Sequence, residues 1–197
     1  MSALTPDHHD RPNGNRPPRR LTRDLLRVME LANMLATSRA SSLLEVSDVL
    51  VGMYIDNWER ISRFWESKEE ISKALQQLCQ ISGPRWQKWM GDYDAMRTQF
   101  QENRKLTPPP TTGKINANGE AVLEISSDLK QAFRAADKIA PYSDRLETSL
   151  IPIVSSECLL LSIAQDANSA IGRRLLATGL DVSSLEQSVR YPKHAPI

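Results

Sequence analysis

The chain has 197 residues, 40% hydrophobic and 25% charged, a balance that supports a packed core in one moderate domain or two small ones. A formal net charge of +1 gives no strong electrostatic case for nucleic acid or a membrane surface. The two cysteines, Cys79 and Cys158, belong to no Cys-x-x-Cys or Cys/His group, so no metal site is expected and both read as buried thiols in a reducing compartment.

Residues 1–20, MSALTPDHHDRPNGNRPPRR, hold four prolines, four arginines and no apolar run. They read as a disordered tail and not as a secretion signal. His8 and His9 then face solvent and do not bind metal. The PPRR stretch could meet an acidic partner, although a solvated tail is the simpler reading. No segment approaches the apolar length of a membrane-spanning helix, so a cytoplasmic protein is expected.

Order is expected from Leu21. Thr22 is placed as an N-cap, and Leu25, Val28, Met29, Ala32, Leu35 and Ala36 recur at helical spacing. Ser47-Asp48 reads as the cap of a short apolar helix over 49–54. Two more short helices fit 57–65 and 69–79. Gly83-Pro84 opens a segment over 85–106 in which Trp86, Trp89, Met90, Tyr93, Met96 and Phe100 recur at threes and fours, the mark of an amphipathic helix. TPPPTTGKINANGE is a loop by composition, with Asn118-Gly119 as a turn signal. Residues 121–125 read as extended. Ser127 is placed as the cap of a helix over 128–140 that Pro141 ends. The remaining helices fit Ser156–Gln165, 168–178 and Val182–Arg190, with Gly179 at a left-handed C-terminal position.

The two halves align with each other. LTRDLLRVMELANMLA (21–36) matches ISSDLKQAFRAADKIA (125–140), with Asp24/Asp128, Leu25/Leu129, Ala32/Ala136 and Ala36/Ala140 identical. VSDVLVGM (46–53) matches SECLLLSI (156–163), and KEEISKAL (68–75) matches VSSLEQSV (182–189). The expectation is an all-α fold: two pseudo-symmetric four-helix units packed as one domain over 21–190, with an extra amphipathic helix between them. The first unit covers 21–80, the inserted helix and loop 83–120, the second unit 125–190, and 191–197 is a tail. The seam between the units is a natural place for a groove.

The second half resembles the N-terminal repeat of Clp AAA+ chaperones. That family carries a Thr/Ser-Glu-His-Leu-Leu-x-Ala-Leu segment, then a helix ending in Leu-x-x-x-Gly-hydrophobic-Asp/Asn, then a short last helix. This chain has SSECLLLSI, IGRRLLATGLD and VSSLEQSV. The family's Gly-rich linker ends in an extended Val-x-Leu-Ser-x-x-Leu; here the counterpart is NGEAVLEISSDL. The first half is similar over 21–78, more weakly. The resemblance implies a non-catalytic protein-binding module acting as adaptor or regulator, with a Clp AAA+ ATPase or its substrates and adaptors as partners. It implies a monomer. No cofactor, no metal, and no nucleic-acid or membrane partner is expected. Two alternatives stand beside it: the substrate-recognition domain of a complete Clp ATPase, including the type that disassembles secretion sheaths, and a helical nucleic-acid-binding regulator using Arg16, Arg19, Arg20 and Arg23.

No phosphate loop is present, because Gly113-Lys114 has no upstream glycine at Walker spacing. There is no Gly-x-Ser-x-Gly and no His-Glu-x-x-His, and the histidines, His8, His9 and His194, are all terminal, so Cys158 has no evident base. No catalytic residue is expected.

In some family members an acid at the Thr-Glu-His position of each repeat helps bind phosphorylated arginine. Glu157 holds that position in the second repeat and Ser47 in the first, with Asp48 next to it. Cys158 and Asp48 stand where the family often has His. The paired-acid arrangement is thus half lost. The simpler role for Glu157 is a first-turn carboxylate favoured by the helix dipole. Other members use an apolar groove with a Thr near the start of the first helix; Thr22 matches it, and Glu157 with Cys158 matches the opposite wall. Trp58, Trp65, Trp86 and Trp89 lie within 32 positions and read as core, or, for Trp86 and Trp89, as an exposed partner surface.

Overall fold

A computed structural model describes residues 20–38, 41–79, 114–115, 121–141 and 153–190. The tails, the segment expected as an amphipathic helix at 85–106, and with it Trp86 and Trp89, lie outside the described residues.

The fold is all-α, as the apolar periodicity implies. The first half runs β1 (Arg20–Leu21), α1 (Arg23–Ser38), β2 (Leu43–Leu44), α2 (Val46–Asp56), α3 (Trp58–Ile61), a 3-10 turn (Ser62–Phe64) and α4 (Lys68–Cys79). The second half runs β3 (Lys114–Ile115), β4 (Ala121–Val122), β5 (Glu124–Ile125), α5 (Ser127–Ile139), β6 (Ile153–Val154), α6 (Ser156–Gln165), α7 (Ala170–Ala177) and α8 (Val182–Arg190).

Three local expectations are corrected. Helix α2 begins at Val46, before the predicted start, because Glu45 takes the N-cap position and its N–H is bound by Asp48 Oδ2 at 3.0 Å. Ser47 and Asp48 therefore lie inside the first turn. Helix α5 is capped by Ser126, not Ser127: the Ser126 hydroxyl accepts from Leu129 N–H at 3.2 Å. Arg20, assigned to the tail, is already paired in β1.

Helices α2 and α6 form the centre. Every residue from Val46 to Ile55 is buried, and so is every residue from Ser156 to Ala164. A helix that is apolar around most of its circumference has no solvent face, so the amphipathic helices pack around this pair. Helices α1 and α5 lie on α2 and α6 respectively, and α1 also touches α6. Leu25, Val28, Leu31 and Ala32 on α1 are fully buried, as are Leu129 and Ala136 on α5.

The two helix pairs cross at matching points. A Cβ added to Gly52 of α2 would sit 2.7 Å from the Val28 carbonyl oxygen of α1. In the other half Ser162 takes the place of Gly52, and its hydroxyl donates to Ala132 O at 2.9 Å. Ala132 in turn aligns with Val28. Small residues at both points let the backbones approach closely.

The short strands tie the halves together by exchange. β1, which precedes α1, runs parallel to β6, which precedes α6; β2, which precedes α2, runs parallel to β5, which precedes α5. Each strand that leads into a first helix therefore pairs with the strand leading into the other half's second helix. The same bond appears twice: Thr22 N–H donates to Val154 O at 3.1 Å, and Ser126 N–H donates to Leu44 O at 3.0 Å. β3 and β4 form an antiparallel pair.

A further set of contacts also joins the halves. Trp65 forms a bridge with Leu180, its indole N–H donates to Thr178 Oγ1 at 2.9 Å, and Asp181 N–H donates to Phe64 O at 2.8 Å. These join the end of the 3-10 turn to the α7–α8 connection. Gly179 has φ +78° in that connection, the left-handed conformation expected after a helix end.

Candidate functional site

Pairing of β1 with β6 sets the first turn of α1 beside the first turn of α6. Both first turns carry an acid, Asp24 and Glu157, where the positive end of a helix dipole favours a carboxylate. The Ser156 hydroxyl donates to Asp24 Oδ2 at 3.0 Å, and Asn57, just before α3, reaches Ser156 Oγ at 3.5 Å. The polar edge of the seam is thus assembled from both halves.

Helix α3 and the 3-10 turn supply the cations. Arg60 Nε donates to Glu157 Oε1, and Arg60 Nη1 lies 3.4 Å from Asp24 Oδ2. One guanidinium spans the two acids. Arg63 Nη2 approaches the same Glu157 oxygen at 3.8 Å, donates to Ser188 Oγ at 2.8 Å, and its guanidinium carbon lies 4.7 Å from the centroid of the Phe64 ring. The Glu157 side chain is only 3% exposed, whereas that of Arg60 is 46% exposed. A carboxylate held that far from water needs paired charge, and the arginines provide it from the solvent side.

The pairing is incomplete. Glu157 Oε2 is buried without a hydrogen-bond partner, and so is Thr22 Oγ1. Thr22 does take the N-cap position, since its carbonyl accepts from Leu26 N–H at 3.0 Å. Its hydroxyl, however, does not make the capping bond that its counterpart Ser126 makes. Buried polar atoms without partners are uncommon in folded proteins and call for an explanation.

No protein-family model matches the chain. No curated protein matches it either. Among solved structures it is similar to the N-terminal domain of the caseinolytic protease associated chaperone ClpD from Arabidopsis thaliana, at 11% identity and a TM-score of 0.38, covering 87% of this chain and 95% of that one. This is a weak likeness at the level of the fold.

The sequence-derived site residues fall into separate groups. Thr22, Glu157 and Cys158 come together at the β1–β6 end. Cys158 is buried, and Ser155 Oγ donates to its sulfur at 3.4 Å. Ser47 and Asp48 belong to the β2–β5 end, are buried, and Asp48 serves the start of α2. Trp86 and Trp89 lie outside the described residues; Trp65 is core.

Sequence reasoning missed Asn57, Arg60, Arg63 and Ser156 as members of the cluster. Arg60 and Arg63 stand three apart among apolar residues, between Trp58 and Phe64, and nothing in that spacing points to a distant acid. Asp24 was visible only as an identity with Asp128. At the pseudo-equivalent end the cluster does not recur: Ser47 stands for Glu157, Ala170 for Arg60, and Arg173 turns to its own backbone, donating to Ala167 O at 2.9 Å. Among the described residues no group of three or more His, Cys, Asp or Glu could hold a metal ion. No described helix is long and apolar enough to cross a membrane.

Proposed function

We propose that the chain is a protein-binding module of the Clp N-domain type, an adaptor or regulator that engages substrate segments or a Clp ATPase and performs no chemistry itself. The observation that carries this reading is the seam. Two repeated halves exchange their leading strands and set two helix N-termini side by side, with a buried acid and an unbonded threonine hydroxyl between them. The motifs SSECLLLSI, IGRRLLATGLD and VSSLEQSV support the same reading, because the resemblance they carry is to a recognition domain. Glu157 and Thr22 are the proposed contacts at the seam, and Trp86 and Trp89 a second partner surface. A monomer working in the cytoplasm is part of the proposal.

The test is recovery of partners from a native lysate, paired with binding of a labelled, permanently unfolded client protein to the purified chain. The expected result is capture of a Clp ATPase or its clients by wild type, reduced by Glu157→Gln and by Trp86→Ala/Trp89→Ala in variants that keep their helical circular dichroism. Recovery of no Clp component and no binding of unfolded client would overturn the proposal. Size-exclusion chromatography with light scattering checks the monomer.

A further inference from the structure

We propose that Arg60 is a built-in occupant of the seam, which a guanidinium-bearing segment of a partner must displace in order to bind. This rests on reading the seam as a binding surface, and it adds how that surface is kept closed.

Glu157 cannot move to water, because it lies in the first turn of the buried central helix α6. Arg60 can, because nearly half of its side chain is already exposed and it sits on the four-residue helix α3. The mobile partner of the ion pair is therefore the arginine. Its position also shows what fits: a planar guanidinium placed between Glu157 Oε1 and Asp24 Oδ2.

Arg60 does not saturate the site. Its contact with Glu157 runs through Nε to one oxygen, while Glu157 Oε2 and Thr22 Oγ1 remain buried and unbonded. A guanidinium can meet a carboxylate in a two-bond fork. An incoming one that bonded both Glu157 oxygens would satisfy an atom that the occupant leaves bare. Buried unbonded acceptors are costly, so this difference favours exchange.

Charge points the same way. Asp24 and Glu157 balance Arg60 and Arg63. Arg63 is held by Ser188 and by the Phe64 ring and stands 3.8 Å from the carboxylate. With Arg60 swung out, the pocket carries one net negative charge at two helix N-termini and attracts a cation from solution.

The test uses the full chain and two fluorescent peptides, one with a central arginine and one with citrulline, which keeps the shape and loses the charge. Fluorescence anisotropy is read for wild type, Arg60→Ala, Arg60→Lys and Arg60→Ala/Glu157→Gln. The expected result is arginine-peptide binding at least tenfold tighter for Arg60→Ala than for wild type. Arg60→Lys should be intermediate, the citrulline peptide should show no gain, and Glu157→Gln should remove the gain. A folded Arg60→Ala that binds no tighter than wild type overturns the proposal. So does failure of both single arginine variants to fold, since an occupant that cannot leave is a structural clamp. The two proposals fail separately. Client binding that is unchanged by Arg60→Ala, with no arginine-peptide gain, leaves the binding module standing without a gate. An arginine-peptide gain with no client or Clp component recovered leaves the gate standing and removes the Clp-linked role.

Discussion

Replacing Gly52 by alanine tests the geometry on which the double-helix core depends. The new Cβ would lie 2.7 Å from Val28 O, 3.4 Å from Val28 Cγ1 and 3.5 Å from Ala32 N. Ordinary contact begins at 3.4 Å, so α1 and α2 must part by roughly 0.7 Å at their crossing. The obstructing atom is a backbone carbonyl inside a helix and cannot rotate away. Val28, Leu31 and Ala32, which are fully buried, would lose contact on the same line. Overpacking of this kind costs about 1–3 kcal/mol, and the rigid obstacle puts this case near the upper end. Alanine's better helix propensity returns about 1 kcal/mol. The net loss is about 2 kcal/mol, which for a chain of this size lowers Tm by about 4–8 °C. Thermal melting followed by circular dichroism at 222 nm measures it. A Tm within a degree of wild type, or above it, would refute the reasoning, because the crossing distance would then not be set by the absent side chain.

Gly179→Ala is the contrasting case: nothing stands within 4 Å of its added Cβ, and the only penalty is φ +78°. The expected loss is about 1 kcal/mol, read as a small Tm decrease with unchanged peptide binding. Trp65→Phe removes the indole donor to Thr178 and leaves a partly filled space where the halves meet; a loss of about 1–3 kcal/mol is expected in chemical denaturation. Burial pushes the Tyr54 phenol above its usual range, against a smaller lowering by its hydrogen bond with Ser72. A raised folded pKa favours the protonated form, so this stabilisation is complete below the ordinary phenol range near pH 10 and is lost as pH rises through the folded value. Melting temperature should therefore fall more steeply between pH 9.5 and 11 for wild type than for Tyr54→Phe, and equal slopes would remove Tyr54 as the cause.

Much of the helical content was legible because burial leaves a periodic trace. Ser156–Gln165 and Val182–Arg190 are placed as read, and Gly179 has the left-handed conformation that its position after a helix demands. The starts of α2 and α5 were less legible. Several Ser, Asp and Glu residues compete to cap each start, and the choice depends on which carboxylate or hydroxyl the folded backbone presents to a free N–H. Thr22 shows the same limit: it occupies the cap position, yet its hydroxyl is left unbonded by its surroundings.

The chain by itself determined most of the helices and the kinship of its halves, because these depend on spacing along the chain. Tertiary structure alone decided that α6 is buried all round, so that a first-turn glutamate became a core charge. It also decided which residues answer that charge. Arg60 and Arg63 are nearly a hundred positions from Glu157, and nothing in the residues around them says which distant acid they will face. Strand exchange between the halves settles that, because it fixes which helix ends meet.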